Sequence, residues 1–496
     1  MHTLSLILWT PAVAALITSL IPDNHPNWVR GVALTGIVGS LVLAWSLTLG
    51  FDSHSFALQF SESTIWNSEL GSYYALGVDG FSLPMVLLAT LLSLVAFLAS
   101  FSLKERVKGY HVSLLILESG MLGVFMAQDW VLFYVFWEMT LIPLFFLIDQ
   151  WGGKRRHTAS LNFVLYTMGG SVFMLIALLV IYTSSADHST TMEAMNKTAN
   201  ALPRDSQILV FTGLLIGFGV KIPIFPLHGW LPLAHVEAPS PVSILLSGAL
   251  LKMGAYGMLR ASGMLPMAMV ALQPLLVGLA LVSIVYGGLL AWRQSDLKAM
   301  VAYSSVSHMG VVMLGLSTMN QTGLLGATLQ MSAHGLVAAA LFLLIGLLYE
   351  RTHTREISDY SSLVMVTPRF AVFTTLALLA AMGLPGTIGF VAELHTLVGG
   401  FERWGWWVVG LSIGILISGA YALRTIGRLF TGPVSPRMSD VADLRGLELA
   451  AVGLLSMGVV ALGIMPFPVL KMIDASVVNL SAMSQTQKNH QVIHGY

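Results

Sequence analysis

The chain has 496 residues, of which 56% are hydrophobic and only 10% are charged. Soluble domains are about one-quarter charged, so this composition is typical of membrane proteins. Lys plus Arg (24) equal Asp plus Glu (24), so no basic excess indicates a nucleic-acid partner. Cysteine is absent, which excludes disulfides, thiolate-held iron–sulfur clusters and zinc–thiolate sites in this chain.

Apolar stretches of about twenty residues recur along the chain, and each is long enough to cross the hydrocarbon core of a bilayer. No Lys or Arg precedes the first stretch, so we interpret it as a permanent span rather than a cleaved signal. The remainder after residue 466 is predicted as a tail. About fourteen spans are predicted, near 4–21, 31–51, 82–103, 110–127, 130–150, 161–183, 207–226, 241–261, 272–292, 297–317, 322–348, 370–394, 405–424 and 448–466.

Outside the spans, loops with many Lys and Arg residues (heavily loaded loops) alternate with loops that have few (lightly loaded loops). One set of alternate loops and span ends carries sixteen Lys and Arg, and the other set carries six. Positive loops stay on the cytoplasmic side of a membrane. The chain is therefore predicted to be a multi-pass membrane protein with both termini on the periplasmic or lumenal side.

Several ionisable side chains fall inside apolar spans, where a bare charge costs at least about 2.5–3.5 kcal/mol. They are Glu118, Glu138, Lys221, Lys252, His308, His334 and Glu393. Such residues must face the interior of the helix bundle and find partners there. Static ion pairs that clamp helices together are one interpretation. A proton relay is the other, because the set has more carboxylates and imidazoles than two lysines can neutralise.

Two spans contain helix breakers next to these residues. Pro223 and Pro226 follow Lys221, and Gly383-Leu384-Pro385-Gly386 precedes Glu393. Paired interrupted helices in two halves of a transporter indicate inverted repeats around a midplane ion site. Simple proline kinks without a repeat would produce the same sequence pattern. We predict an all-α membrane protein in which two inverted repeats of about five helices each contain one broken helix. The predicted parts are 1–109 (three helices), 110–261 (first repeat), 262–424 (second repeat) and 425–496 (a C-terminal helix and tail).

Polar residues near the ends of spans have plainer interpretations. His228 and His235 flank a proline-rich turn and could pass protons from water to Lys221 or only hydrogen-bond the loop. Asp79 and Asp129 are predicted to be helix caps or packing anchors. Lys298, two residues after Asp296, is predicted to form an interfacial ion pair with it.

Short motifs surround the ionisable residues, and together they resemble a known family. They are Val78–Gly80, Phe136–Met139, Val220–Pro223, Pro226–Pro232, Ala234–Pro239, Leu250–Gly254, Ala302–Gly310 and Ala333–Gly335. With these motifs the chain resembles the antiporter-like subunits of respiratory complex I, of the subunit 4 type, over about residues 70–430. Sister subunits generally have lysine at the position of Glu393. The block Trp151–Arg156 is similar to the cyanobacterial branch.

The resemblance implies a function and assigns roles to the residues. It implies a proton-translocating membrane subunit of an NAD(P)H– or ferredoxin–quinone oxidoreductase, a redox-driven translocase with no redox centre in this chain. Glu138 and Lys221 would form the ion pair of the first half-channel, and Lys252 would be the central relay. His308 and His334 would continue the relay, and Glu393 would be the exit group.

The resemblance also implies partners, cofactors and a location. The partners are other membrane subunits, including sister antiporter-like subunits, within the lipid bilayer. Quinone, iron–sulfur clusters and the electron donor belong to partner subunits, and neither a cofactor nor a metal is expected in this chain. The implied location is a bacterial inner membrane or a cyanobacterial thylakoid membrane.

Three other functions compete with this interpretation. A subunit of a multisubunit cation/proton antiporter would share the fold and need no electron donor. A redox subunit could hold haem between His308 and His334. A passive scaffold would keep its lysines only for structure.

Overall fold

The computed structural model describes residues 2–434 and 436–494, most of which are helical. The first half contains α1 (Thr3–Leu20), α2 (Pro26–Ser46), α3 (Ser82–Ala99), α4 (Val107–Met126), α5 (Trp130–Met139), α6 (Leu141–Trp151), α7 (Arg156–Thr183), α8 (Met192–Ala201), α9 (Arg204–Lys221), α10 (Leu231–Glu237), α11 (Ser240–Leu245) and α12 (Leu251–Met264). The second half contains α13 (Pro266–Arg293), α14 (Leu297–Thr318), α15 (Gln321–Thr352), α16 (Leu363–Val366), α17 (Pro368–Ala381), α18 (Ile388–Trp404), α19 (Val409–Phe430), α20 (Gly446–Ile464) and α21 (Phe467–His494).

The described residues contain twelve helical segments that are long and apolar enough to cross a membrane. One of them, Ile388–Phe430, has 43 residues and contains two helices, α18 and α19, because Gly405 adopts a positive φ between them. Helix α9 is outside the twelve and carries three charges in its eighteen residues. The chain is thus a multi-pass helical membrane protein, while the count of about fourteen crossings stays a prediction.

A β-hairpin departs from the all-α prediction. Strands β1 (Gln59–Asn67) and β2 (Ser72–Val78) pair antiparallel within the segment that the sequence marks only as a polar break. The Glu62 carboxylate accepts a hydrogen bond from the backbone N–H of Leu4 at 2.7 Å. The hairpin thereby satisfies a free donor at the N-terminus of α1, where a negative charge is favourable.

The predicted tail is also wrong in part, because Phe467–His494 forms the long helix α21. Its polar composition gave no spanning signal. The helix packs against α15 and α13, and the N–H of Gly80, just after β2, donates to the Ser476 hydroxyl at 3.1 Å. A pattern of apolar spans does not reveal a helix that lies against the other elements without being strongly apolar.

The two predicted caps are confirmed. The Asp129 carboxylate accepts from the N–H groups of Val131 and Leu132 at the start of α5. The Asp79 carboxylate accepts from the N–H groups of Phe81 and Ser82 at the start of α3. Both aspartates therefore fix where a helix begins, by bonding donors that have no partner inside the helix.

The connecting segments lie at two faces of the bundle, and each face contains a cleft. A cleft of about 720 Å³ is lined by residues from 99–103, 151–155, 236–241, 296–298 and 346–356. We call this side the basic face, because its lining includes four basic residues of the heavily loaded loops, Lys154, Arg155, Lys298 and Arg355. A second cleft of about 310 Å³ is lined by residues that flank the hairpin on either side and by residues of α8, the end of α12 and α21. We call that side the opposite face.

The charged residues lie on the most enclosed helices. The most apolar eighteen-residue stretches of α15 and of the α11–α12 span are completely buried. In α7 and α13 only 39% of the corresponding stretch is buried. Lys252 belongs to α12 and His334 to α15. The bundle thus shields these side chains from lipid, as the cost of an intramembrane charge requires.

Helices α13 and α14 approach each other at glycines, which leaves room for no side chain between them. A Cβ on Gly287 would lie 2.7 Å from the backbone nitrogen of Ser307, and one on Gly310 would lie 2.9 Å from that of Ile284. Small residues at helix contacts are the usual means of close approach in membranes. This approach fixes the position of α14, which carries His308.

Replacing Gly287 by Ala should therefore lower the free energy of unfolding by about 1–3 kcal/mol, because the added methyl group meets backbone that cannot move aside. The matched control is Gly278→Ala on the same helix, where a Cβ would meet nothing within 4 Å. Thermal unfolding of the detergent-solubilised protein compares the two variants. Equal melting temperatures would contradict this account of the α13–α14 contact.

Candidate functional site

Helix α9 ends at Lys221 inside the bundle. The sequence continues through Pro223 and Pro226, neither of which can donate a backbone hydrogen bond. The carbonyl of Val220, left free by the break, accepts the indole N–H of Trp230 at 2.8 Å. The broken backbone is therefore satisfied by protein, which allows a helix to end at membrane depth. The break also places the Lys221 ammonium at a helix C-terminus, where a cation is favourable.

Lys221 is only 1% exposed, and its ammonium lies among aromatic rings. It lies 5.1 Å from the centre of the Trp137 ring and 5.9 Å from that of Phe163. Its hydrogen-bond contact is with the Thr140 hydroxyl at 3.5 Å. Desolvated cation–π contacts contribute about 2 kcal/mol or more. The amine thus rests on ring faces and one weak oxygen contact.

Glu138 interacts electrostatically with Lys221, yet the described residues contain no ion pair between them within 4.0 Å. One carboxylate oxygen of Glu138 is buried and has no hydrogen-bond partner among the described residues. The structure therefore shows the Glu138–Lys221 pair in an open arrangement. The predicted contact would need the two side chains to approach further.

Lys252 follows a π-helical turn, Leu246–Leu250, inserted between α11 and α12. A π turn shifts the backbone hydrogen bonds by one residue, and such turns are frequent at functional sites. Here the carbonyl of Ser247 accepts the Lys252 ammonium at 2.5 Å. The same nitrogen lies 2.7 Å from Nδ1 of His334. The nearest partners of this fully buried amine are thus a carbonyl and an imidazole.

From Lys252 the ionisable groups form a continuous line across four helices. The rings of His334 on α15 and His308 on α14 have their centres 5.6 Å apart. Nδ1 of His308 lies 3.6 Å from a carboxylate oxygen of Glu393 on α18. The order is therefore Lys252, His334, His308, Glu393. Each step is short enough for a direct hydrogen bond or one bridging water.

A small cavity lies beside this line and has room for water. It is lined by Ser304, His308, Gln330, His334 and Glu393, among apolar residues, and has a volume of about 20 Å³. That is space for about one water molecule, which also needs polar partners. His308, His334 and Gln330 each carry a buried polar atom with no hydrogen-bond partner in the described protein. The cavity therefore meets both conditions for an ordered water.

The second broken helix lies next to Glu393. Between α17 and α18, Gly383 and Gly386 adopt φ values of +77° and +91°, which only glycine adopts readily. A Cβ on Gly383 would collide with the Glu393 carboxylate. Glycine at this position thus supplies both the turn and the space for the carboxylate.

The two histidines of the proline-rich turn are buried in different surroundings. His228 stacks against Phe225 and lies edge-to-face with Tyr286. His235 stacks on Phe342 with ring centres 4.5 Å apart. Its electrostatic neighbours are Lys298 and Lys252 rather than Lys221. His235 is therefore beside the second lysine, which differs from the expectation that it serves the first.

The predicted pair of Asp296 with Lys298 is wrong. Asp296 forms its ion pair with Arg355 at 3.1 Å, while the Lys298 ammonium donates to the Ala238 carbonyl at 2.7 Å. Arg355 comes from the segment after α15, far away in sequence, so the local spacing of Asp296 and Lys298 could not reveal it.

Four contributors to this site carry no clear signal in the sequence. Thr140 and Ser247 act through one hydroxyl and one carbonyl, and Gln330 and Ser304 line the cavity. Only Ser304 lies in one of the family motifs. Glu118, found in the sequence without a role, is fully buried and accepts a hydrogen bond from the Ser40 hydroxyl at 2.6 Å. It is separate from the Lys252–Glu393 line.

Comparisons with known proteins identify a family of membrane proteins that this chain matches. A family model described as NADH:quinone oxidoreductase/Mrp antiporter, TM matches residues 127–418. NAD(P)H-quinone oxidoreductase chain 4 1 of a Picosynechococcus species is 41% identical over 435 residues, covering 85% of this chain and 80% of the relative. NADH-quinone oxidoreductase subunit M of Rhodobacter capsulatus is 39% identical over 497 residues, covering 97% and 96%.

Solved structures with the same fold include two kinds of membrane complex. A chain of respiratory complex I from Thermus thermophilus with bound NADH matches with a TM-score of 0.87 and 31% identity, covering 97% of this chain and all of that one. A chain of the Mrp complex from a Dietzia species matches with a TM-score of 0.81 and 21% identity, covering 100% of this chain and 56% of that one. The second match concerns the fold alone.

The contact between Lys252 and His334 can be tested by stability alone. His334→Phe leaves the buried amine without its imidazole, which should cost about 1–3 kcal/mol of unfolding free energy. Adding Lys252→Met should recover part of that loss, because removing both partners leaves no unpaired polar group. His395→Phe is the control, since that ring bonds its own helix at the Val391 carbonyl. Additive losses in thermal unfolding would show that the contact is not made.

Proposed function

We propose, since the chain belongs to the NADH:quinone oxidoreductase/Mrp antiporter membrane family, that it is the proton-translocating membrane subunit of a multisubunit NAD(P)H– or ferredoxin–quinone oxidoreductase. The observation that carries this proposal is the buried line from Lys252 through His334 and His308 to Glu393. All four groups can gain and lose a proton, and they lie on four helices, α12, α15, α14 and α18.

Each member of the line has a role that follows from its surroundings. The Lys252 amine can pass a proton to His334 through their direct contact. His334 and His308 can exchange it through the water-sized cavity beside them, and Glu393 can accept it from His308. Imidazole suits the middle positions, because it holds and releases protons near neutral pH. The line therefore conducts laterally, from α12 to α18.

Lys221 supplies the charge that starts each cycle. Moving one proton against 100 mV requires about 2.3 kcal/mol. When Glu138 closes onto Lys221, the ammonium is favoured. When the pair opens, the amine is left on ring faces and one hydroxyl, and it becomes a donor towards Lys252. The two lysines lie on neighbouring helices, since α12 packs on α9 where a Cβ on Gly254 would meet Phe218 and Ile222.

The energy for pumping enters through other subunits. The chain has no cysteine for an iron–sulfur cluster. Quinone, clusters and electron donor are therefore assigned to partner subunits, and sister antiporter-like subunits are the expected neighbours in the membrane. The role of this chain in the complex is to convert a change in the Glu138–Lys221 distance into proton transfer.

The orientation follows from the basic face. Positive segments remain on the cytoplasmic side, so the basic face is assigned to the cytoplasm and the opposite face, with both termini, to the periplasm or lumen. A bacterial inner membrane or a cyanobacterial thylakoid membrane fits this assignment. The predicted inverted repeats, 110–261 and 262–424, are supported by one broken helix in each, α9–α10 and α17–α18.

Two competing functions can be weighed on the geometry. Haem between His308 and His334 does not fit, because the cavity beside them holds about one water molecule. A cation/proton antiporter subunit shares the fold and would use the same lysines. Transport of Na⁺ without electron donor by the purified complex would favour that second function.

Lys221→Arg should keep the fold and charge but abolish proton pumping, because a guanidinium does not release its proton. The measurement is acidification of proteoliposomes containing the intact complex, driven by electron donor and quinone. Lys197→Arg is the control, since Lys197 is exposed on α8 and pairs with Glu193 on the same helix. Normal pumping by an assembled Lys221→Arg complex would refute the proposed role.

A further inference from the structure

Helix α12 carries a second polar feature beyond Lys252. Tyr256 and Arg260 follow at intervals of four residues, so the three side chains lie along one face of the helix. Each interval is about 6 Å along the axis. The row leads from the buried amine of Lys252 towards the opposite face, on a path separate from the line to Glu393.

Water from the opposite face can reach the far end of this row. The cleft of about 310 Å³ on that face is lined by Asp79 and Arg260, together with Gln128, Glu193 and Asn479. The Arg260 side chain is 18% exposed, whereas Tyr256 is completely buried. The boundary between water and the protein interior therefore lies at Arg260. Without a barrier, Lys252 would be two helical turns from lumenal or periplasmic water.

At this boundary Arg260 forms hydrogen bonds with both Asp79 and Tyr256. The Arg260 guanidinium bonds the Asp79 carboxylate at 2.6 Å and donates twice to the Tyr256 hydroxyl oxygen, at 3.1 and 2.8 Å. That hydroxyl donates to the Phe125 carbonyl at 3.1 Å. The other oxygen of Asp79 accepts the N–H groups before α3. Buried hydrogen-bonded networks with every member satisfied are rigid.

We propose that Asp79, Tyr256 and Arg260 form a proton seal between the opposite face and Lys252. A proton wire needs groups that accept a proton on one side and release one on the other. Arginine has only donors and keeps its proton, and the Tyr256 hydroxyl is committed to a carbonyl. An arginine lining a narrow path excludes protons in other membrane proteins. The seal leaves the lateral line to Glu393 as the route from Lys252 to that face. The inference rests on the proposed function, since it needs Lys252 to carry protons.

The test is passive proton leak, measured without electron donor. Intact complex is reconstituted into liposomes containing a pH-sensitive dye, an acid step is applied, and the decay of the pH gradient is recorded. Arg260→Lys keeps a cation beside Asp79 but introduces a group that can release its proton. Tyr256→Phe removes only the hydroxyl. Both variants should leak protons several-fold faster than the unmodified complex, with quinone reduction in the presence of an uncoupler unchanged.

Two further variants distinguish a specific seal from a general loosening of the helix bundle. Arg403→Lys is the matched control on the same face, where the guanidinium bonds Gln273 at 2.8 Å, and it should not leak. Adding Lys252→Met to Arg260→Lys should restore tightness, because the proton then has no carrier behind the seal. The proposal is overturned if the pH gradients of the Arg260→Lys and Tyr256→Phe complexes are as stable as that of the unmodified complex. It is also overturned if a variant leaks only when its quinone reduction in the presence of an uncoupler is lost. Neither result depends on the pumping assay of Lys221→Arg, so the two proposals can fail separately.

Discussion

The structure depends on keeping two lysine amines inside a helical bundle, where no carboxylate of the described residues lies within 4.0 Å of either one. A charge at membrane depth is costly, so each amine is placed where helix geometry supplies partial negative charge. Lys221 occupies the C-terminus of a broken helix and lies over aromatic rings. Lys252 uses a carbonyl exposed by a π turn and an imidazole from α15. Such partners hold an amine loosely enough for its proton to be exchanged.

Interrupted helices are the means by which this is achieved. The break after Lys221, the π turn before Lys252 and the glycine turn before Glu393 each displace one backbone segment from regular hydrogen bonding. At the π turn Lys252 binds the carbonyl of Ser247, and at the glycine turn Glu393 occupies the space beside Gly383. At the first break Lys221 lies at the helix end itself, and Trp230 binds the released carbonyl. The seal around Arg260 shows the converse, since regular helix and saturated hydrogen bonds block proton passage there.

The sequence predicts those residues of the site that are titratable and lie within apolar spans. Lys221, Lys252, His308, His334 and Glu393 are conspicuous because charged or titratable side chains are rare in apolar spans, and all five are buried. The order of the line was not predictable, because it depends on how α14 and α15 face each other. The hairpin, α21 and the Asp296–Arg355 pair also escaped prediction. They depend on contacts between segments distant in sequence, which composition and periodicity do not encode.

Proton transfer along the buried line requires Glu393 to receive protons from His308. Infrared difference spectroscopy of the intact complex during turnover measures this directly, through the C=O stretch of a protonated carboxyl group. A carboxyl band should rise and decay with pumping and should be missing in Glu393→Gln. Pumping that proceeds with no protonation change assignable to Glu393 would contradict it.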